Sequence, residues 1–222
     1  VAKAVGNFGS GRELYVFRVP GSESYIPGDI NIDGKLDDND LTSYMNYTGL
    51  RQGDGDFDGY ISKGDLNLNG LIDAYDISHV AVKLEDGIEP GQPASLSGKV
   101  TVTANKKLYN AGETIEIKVK GTGLHDVNAL SFALPYNPQE MEYLGTEAQG
   151  MKAMRDLTYD RLHTNGQKAL YPTFVNRGNQ VLLEEGDHNL FVLKFRAKKA
   201  GKYNLKAIDG LLVDRNLGVA SF

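Results

Sequence analysis

The chain has 222 residues, 41% hydrophobic and 24% charged, which is apolar enough for a packed core and too apolar for a disordered segment. Its formal charge of −5 offers no basic footprint for nucleic acid or an anionic membrane, and no apolar run nears the roughly 20 residues of a membrane span. Cysteine and tryptophan are both absent, which excludes disulfide frameworks, thiolate metal sites, cysteine nucleophiles and any tryptophan platform for sugars.

In chain order, residues 13–19 (ELYVFRV) read as a strand stopped by Pro20-Gly21. Tyr15, Phe17 and Val19 share one face, with Leu14 and Val16 on the other. A strand apolar on both faces belongs inside a sheet, so residues 1–26 are expected to be the end of a domain lying upstream. The next zone, 27–86, holds the acidity. Of 18 aspartates, 11 fall between Asp29 and Asp76, where there is no glutamate and only Lys35, Arg51 and Lys63 oppose them. That stretch carries −8 and the remainder +3.

The acidic zone repeats itself at an offset of 36 residues. Residues 29–40 (DINIDGKLDDND) and 65–76 (DLNLNGLIDAYD) both follow D-x-N-x-[DN]-G-x-[IL]-D-x-x-D. This is the pattern of a twelve-residue calcium loop: oxygen side chains at positions 1, 3 and 5, glycine at 6 for the turn, a carbonyl at 7, a core residue at 8 and a closing acid at 12. The expected ligands are Asp29, Asn31, Asp33, Lys35 (carbonyl) and Asp40 in one loop. In the other they are Asp65, Asn67, Asn69, Leu71 (carbonyl) and Asp76. Leu36 and Ile72 are the core residues at position 8. Each loop runs into an amphipathic helix, marked by Leu41, Tyr44 and Met45 after the first and by Ile77, Val80, Ala81 and Leu84 after the second. A solvated acidic loop is the plain alternative, and a twelve-position pattern occurring twice, each time before a helix, argues against it. Between them, residues 54–65 offer a third loop with Asp54, Asp56, Asp58 and Tyr60 (carbonyl) as ligands. Its last residue is Asp65, the first ligand of the next loop, so a degenerate connector is equally open.

This duplicated loop–helix unit, with aspartate at position 12, resembles a dockerin module over residues 28–84. The resemblance implies loops without entering helices, two Ca²⁺ ions with a third in the middle loop left open, and folding that needs the metal. The positions that read the partner in dockerins, 10 and 11 of each loop, carry Asp38-Asn39 and Ala74-Tyr75 where clostridial dockerins commonly have Ser-Thr.

Residues 87–95 (GIEPGQPAS) form a linker stiffened by two prolines. From 96 to 222 the pattern is β. Segments 99–104, 114–120 and 189–197 alternate with period two, and further strands are predicted at 129–134, 141–144, 181–183 and 203–208. Helix and loop signals mix over 151–162, and 165–174 carries no assignable motif. Many short strands with glycine, proline and asparagine turns predict an antiparallel, jelly-roll-like sandwich behind the small helical module, hence a mainly β fold. LYNAGET at 108–114, ALSFALPYNP at 129–138, LFVLKFRA at 190–197 and GKY at 201–203 resemble a cohesin. A dockerin-like module followed by a cohesin-like one is similar to the C-terminal region of secreted glycoside hydrolases of gut bacteria. That likeness implies an upstream catalytic domain and a secreted, cell-surface or periplasmic location.

Catalysis within this segment is not expected. The acid pairs Glu140/Glu142 and Glu184/Glu185 sit at a strand start and a turn, where solvated acids are ordinary. His79, His125, His163 and His188 show no ligand spacing, and no nucleophile elbow or phosphate loop occurs. The expected function is therefore a non-catalytic, calcium-binding protein-interaction region. Its partner would be a cohesin- or dockerin-bearing protein, or the two modules would pack on each other. The alternative is a glycan-binding sandwich with a calcium spacer, using Tyr136, Tyr143, Tyr159, Tyr171 and Phe174 as a platform.

Overall fold

The computed structural model describes residues 26–57, 59–85, 96–177 and 186–222. The strand expected at 13–19, the linker, the strand at 181–183, the Glu184/Glu185 pair and Asp58 lie outside the described residues.

The acidic zone folds as two short helical units. Asp37 caps α1 (Asp38–Ser43) and Asp73 caps α2 (Ala74–Lys83), each through a reciprocal capping box with Asp40 or Asp76. A 3₁₀ turn, Tyr44–Asn46, continues α1, and a second, Ile61–Gly64, precedes the second loop. Leu41, Tyr44, Ile72, Ile77, Val80 and Ala81 are fully buried, as their spacing predicts. Met45 differs: it is 37% exposed, because the tightening to 3₁₀ geometry rotates it off the apolar face. Leu36 is half-buried where Ile72 is sealed.

The β region is an antiparallel sandwich. One sheet has the order β1 (Lys99–Ala104), β2 (Thr114–Thr122), β9 (Asp187–Ala197), β4 (Met141–Ala148). The other runs β11 (Val219–Ser221), β10 (Ile208–Asp214), β3 (Val127–Pro135), β7 (Lys168–Tyr171), β6 (Tyr159–Leu162). Two further short strands, β5 (Arg155–Asp156) and β8 (Thr173–Val175), extend it beside β3. The segment with mixed signals and the one without a motif thus supply strands. Ile115, Ile117 and Val119 of β2 meet Leu130, Phe132 and Leu134 of β3 and Phe191, Leu193 and Phe195 of β9 in the core. The expected strand at 203–208 begins only at Ile208. Tyr203, Leu205 and Ala207 do pack on the core with period two, but the chain there is an unpaired extended stretch.

Strand β3 is buried along nearly its whole length. Its large residues, Leu130, Phe132 and Leu134, point into the sandwich, and its small ones, Ala129, Ser131 and Ala133, face the other way. That outer face is covered by α2, which lies across β3, β8 and β10. Ala129, Leu157, Val175 and Val213 of the sandwich share one cluster with Ile72, Ala74, Ile77 and Ala81 of the helical unit. Small side chains on β3 let the helix approach closely, and two polar contacts cross to it: Ala74 N–H donates to Ser131 Oγ (3.1 Å), and Asn128 Nδ2 donates to Ser78 Oγ (2.8 Å).

Candidate functional site

The two predicted loops have nearly the same backbone. Position 4 is left-handed in both, Ile32 with φ 62° and Leu68 with φ 59°, and so is the glycine at 6, Gly34 at 82° and Gly70 at 83°. A β-branched isoleucine rarely adopts this conformation, so the loop imposes it. The side chains at positions 1, 3 and 5 curl inward onto the backbone. Asp29 accepts from Asp33 N–H (3.2 Å) and Gly34 N–H (3.0 Å), and Asp65 accepts from Asn69 N–H (3.0 Å) and Gly70 N–H (2.7 Å). Asn31 and Asn67 accept from the N–H of position 5, and Asp33 and Asn69 from the N–H of position 7. Asp40 and Asp76 close each loop by accepting from Asp37 N–H and Asp73 N–H, both at 2.9 Å.

All ten predicted ligand positions therefore belong to two matching loops. Among the described residues no three histidine, aspartate or glutamate side chains stand ready to hold a metal by themselves. The oxygen set expected for each loop also includes asparagine and a carbonyl. Five carboxylates of the two loops are deeply placed: Asp40 and Asp76 have no exposure, and Asp29, Asp65 and the helix-capping Asp73 have 8% or less, while the expected ligand Asp33 is exposed. Burial raises the pKa of Asp40, and burial with the neighbouring Asp73 charge pushes Asp76 well above the usual carboxylate range. Among the described residues no lysine, arginine or histidine forms an ion pair with any of these five. An oxygen-only set of buried acids without a basic partner has the chemistry that suits a hard divalent cation.

The middle segment is different. Asp54 is buried, and its Oδ2 lies 2.8 Å from His163 Nδ1, while its Oδ1 accepts from Thr164 N–H (3.1 Å). His163 Nε2 in turn lies 2.8 Å from the Tyr171 hydroxyl. Burial alone would raise the Asp54 pKa, but the His163 bond and the Thr164 and Arg51 amides outweigh it and hold it below the ordinary value. Burial pushes Tyr171 up to about 12. Asp56 is exposed, and the Tyr60 hydroxyl donates to the carbonyl of Asp29. Asp58, the remaining carboxylate of the expected third loop, lies outside the described residues. Asp54 is drawn to the sandwich, a role that nothing in its local sequence signals.

More polar contacts cross the seam. The Arg161 guanidinium donates to the carbonyls of Thr48 (2.9 Å) and Asn46 (2.7 Å), and Asp38 pairs with Arg177 at 2.9 Å. Asp38 and Ala74, two of the four positions expected to read a partner, are therefore engaged within the chain. The five aromatics considered as a glycan platform are also occupied. Tyr136 donates to Asp160, Tyr143 bonds with Thr146, Tyr159 lies under the Arg161 guanidinium, and Tyr171 and Phe174 are buried.

No protein-family model matches the chain, and no curated protein does. Solved cohesin modules are similar in shape. The second type II cohesin module of the adaptor ScaA scaffoldin from Acetivibrio cellulolyticus has a TM-score of 0.47 at 11% identity, over 58% of this chain and 92% of that one. The non-cellulosomal cohesin of the archaeon Archaeoglobus fulgidus has 0.39 at 17%, over 55% and 83%. A type I cohesin–dockerin complex of Clostridium thermocellum supplies a chain at 0.42 and 14%, over 59% and 92%. Likeness at this level concerns the sandwich outline and says nothing of ligands. Among the described residues no helix is long and apolar enough to cross a membrane.

Proposed function

We propose that this chain is a non-catalytic, calcium-stabilised protein-interaction region of a secreted, polysaccharide-degrading glycoside hydrolase. One Ca²⁺ is held by Asp29, Asn31, Asp33, Asp40 and the Lys35 carbonyl, and a second by Asp65, Asn67, Asn69, Asp76 and the Leu71 carbonyl. The observation that carries the calcium reading is the set of five buried aspartates without a basic partner, set in two loops of matching backbone. Metal would neutralise charges that the fold otherwise buries at a cost. The loop–helix repeat and the strand motifs of the sandwich support the dockerin-like and cohesin-like readings, with a cohesin- or dockerin-bearing protein as partner. Calorimetry of the full chain in calcium and in excess EDTA tests the metal assignment: chelation should lower the melting temperature, and an unmoved transition would refute it. Capture of a purified cohesin or dockerin by the full chain tests the partner.

A further inference from the structure

A cleft of about 600 Å³ opens where the second acidic loop meets β7, β10 and β11. Arg51, Gln52, Asn69 and Asp73 line it from the helical unit, and Asp209 and Phe222 from the sandwich. Asp209 is held there in an unusual way. The pairing of β10 with β3 slips between Ile208 and Leu211, and Asp209 sits in that bulge with φ 53°. Its neighbour Gly210 is pinned against Phe222, since a Cβ there would stand 2.7 Å from the ring. A bulge with a left-handed, non-glycine residue re-aims one side chain at the expense of local strain. The carboxylate so aimed has no hydrogen-bond or ion-pair partner among the described residues. Its charge nevertheless acts on Asp73 and on Tyr171 across the cleft.

The lining selects among ligand classes. Arg51 gives one guanidinium N–H to Gln167 at 2.7 Å and keeps further donors, and the Gln52 amide both donates and accepts, whereas Asn69 already donates to Asp73 (3.1 Å) and accepts from Leu71 N–H (2.8 Å). Asp73 and Asp209 only accept. An anion would meet two carboxylates, a cation would meet Arg51, and an apolar guest would leave these polar groups unmatched. A sugar hydroxyl donates and accepts at once, so neighbouring hydroxyls suit planar side-chain heads of both kinds, while Phe222 and Leu211 offer an apolar wall for ring C–H groups. We propose that this cleft at the seam of the two modules binds a neutral saccharide. Asp209 accepts from its hydroxyls, and Gln52 and Arg51 donate to them. The site lies apart from the five aromatics of the sandwich except for Tyr171, and it rests on the observed docking rather than on the calcium assignment.

The test is a titration of the full chain, in calcium buffer, with xylose, galactose, N-acetylglucosamine and their β-linked disaccharides, followed by amide NMR and calorimetry. Saturable shifts are expected at Gly70, Leu71, Gly210 and Leu211 with at least one of these sugars. Asp209→Gly should weaken that binding about tenfold or more, the loss of one charge-assisted hydrogen bond. Because glycine accepts φ 53° freely, the same variant should melt at the wild-type temperature or above it. Absence of saturable shifts with every sugar overturns the proposal, as does unchanged affinity in Asp209→Gly. A clear drop in its melting temperature would also overturn it, by making Asp209 a support of the bulge. A chain that binds no calcium but still shows the sugar shifts would refute the metal reading alone.

Discussion

At the residue scale, Asp54 begins the middle loop, yet the side chain that claims it stands 109 positions away. Removing its charge with Asp54→Asn leaves His163 and the Thr164 amide with a weaker acceptor, and a loss of about 2 kcal/mol is expected in urea unfolding. The pH dependence has a definite sign. Asp54 titrates lower in the fold than the usual carboxylate value, about 3.9 in an unfolded chain, so its contribution is complete above that value and is lost as pH falls through the lower folded one. Wild-type and Asp54→Asn melting curves should therefore converge on acidification through that range. The two matching loops were legible in the sequence because each lies within twelve consecutive residues. The Asp54–His163–Tyr171 chain was not, because hydrogen bonds between distant segments leave no spacing to read.

At the element scale, β3 illustrates how one strand can serve two cores. The sequence predicts a strand at 129–134, and the one observed alternates alanine or serine with leucine or phenylalanine. What the alternation does not say is that the small residues are buried too. Only the helix lying on them settles that, since alanine and serine are as common on a solvated face. The two faces should respond to opposite substitutions. Leu130→Ala opens the sandwich interior and should cost about 2 to 5 kcal/mol. Ala129→Leu overfills the space under α2 and should cost about 1 to 3 kcal/mol, together with faster amide exchange in α2. Equilibrium unfolding and hydrogen exchange distinguish the two effects. The misplacement of β10 has a related cause: Tyr203, Leu205 and Ala207 have the period of a strand, but periodicity reports which side faces the core and not whether a neighbour supplies hydrogen bonds.

At the scale of the whole molecule, the helical unit and the sandwich are joined by an apolar cluster and by buried polar contacts. Calcium added at a hundred times its dissociation constant should stabilise each occupied site by about 2.7 kcal/mol. Because the cluster is shared, the expectation is one calorimetric transition for both units, moving as a whole with calcium; two transitions, only one of them calcium-sensitive, would show that the units melt separately. The small-residue face of β3 has a practical consequence for anyone cutting this chain. A fragment beginning at residue 96 would carry Ala129, Leu157, Val175 and Val213 uncovered, beside the buried amide of Asn128. Such a stripe invites self-association, so a truncated sandwich should be poorly soluble unless its outer strand face is rewritten with polar residues.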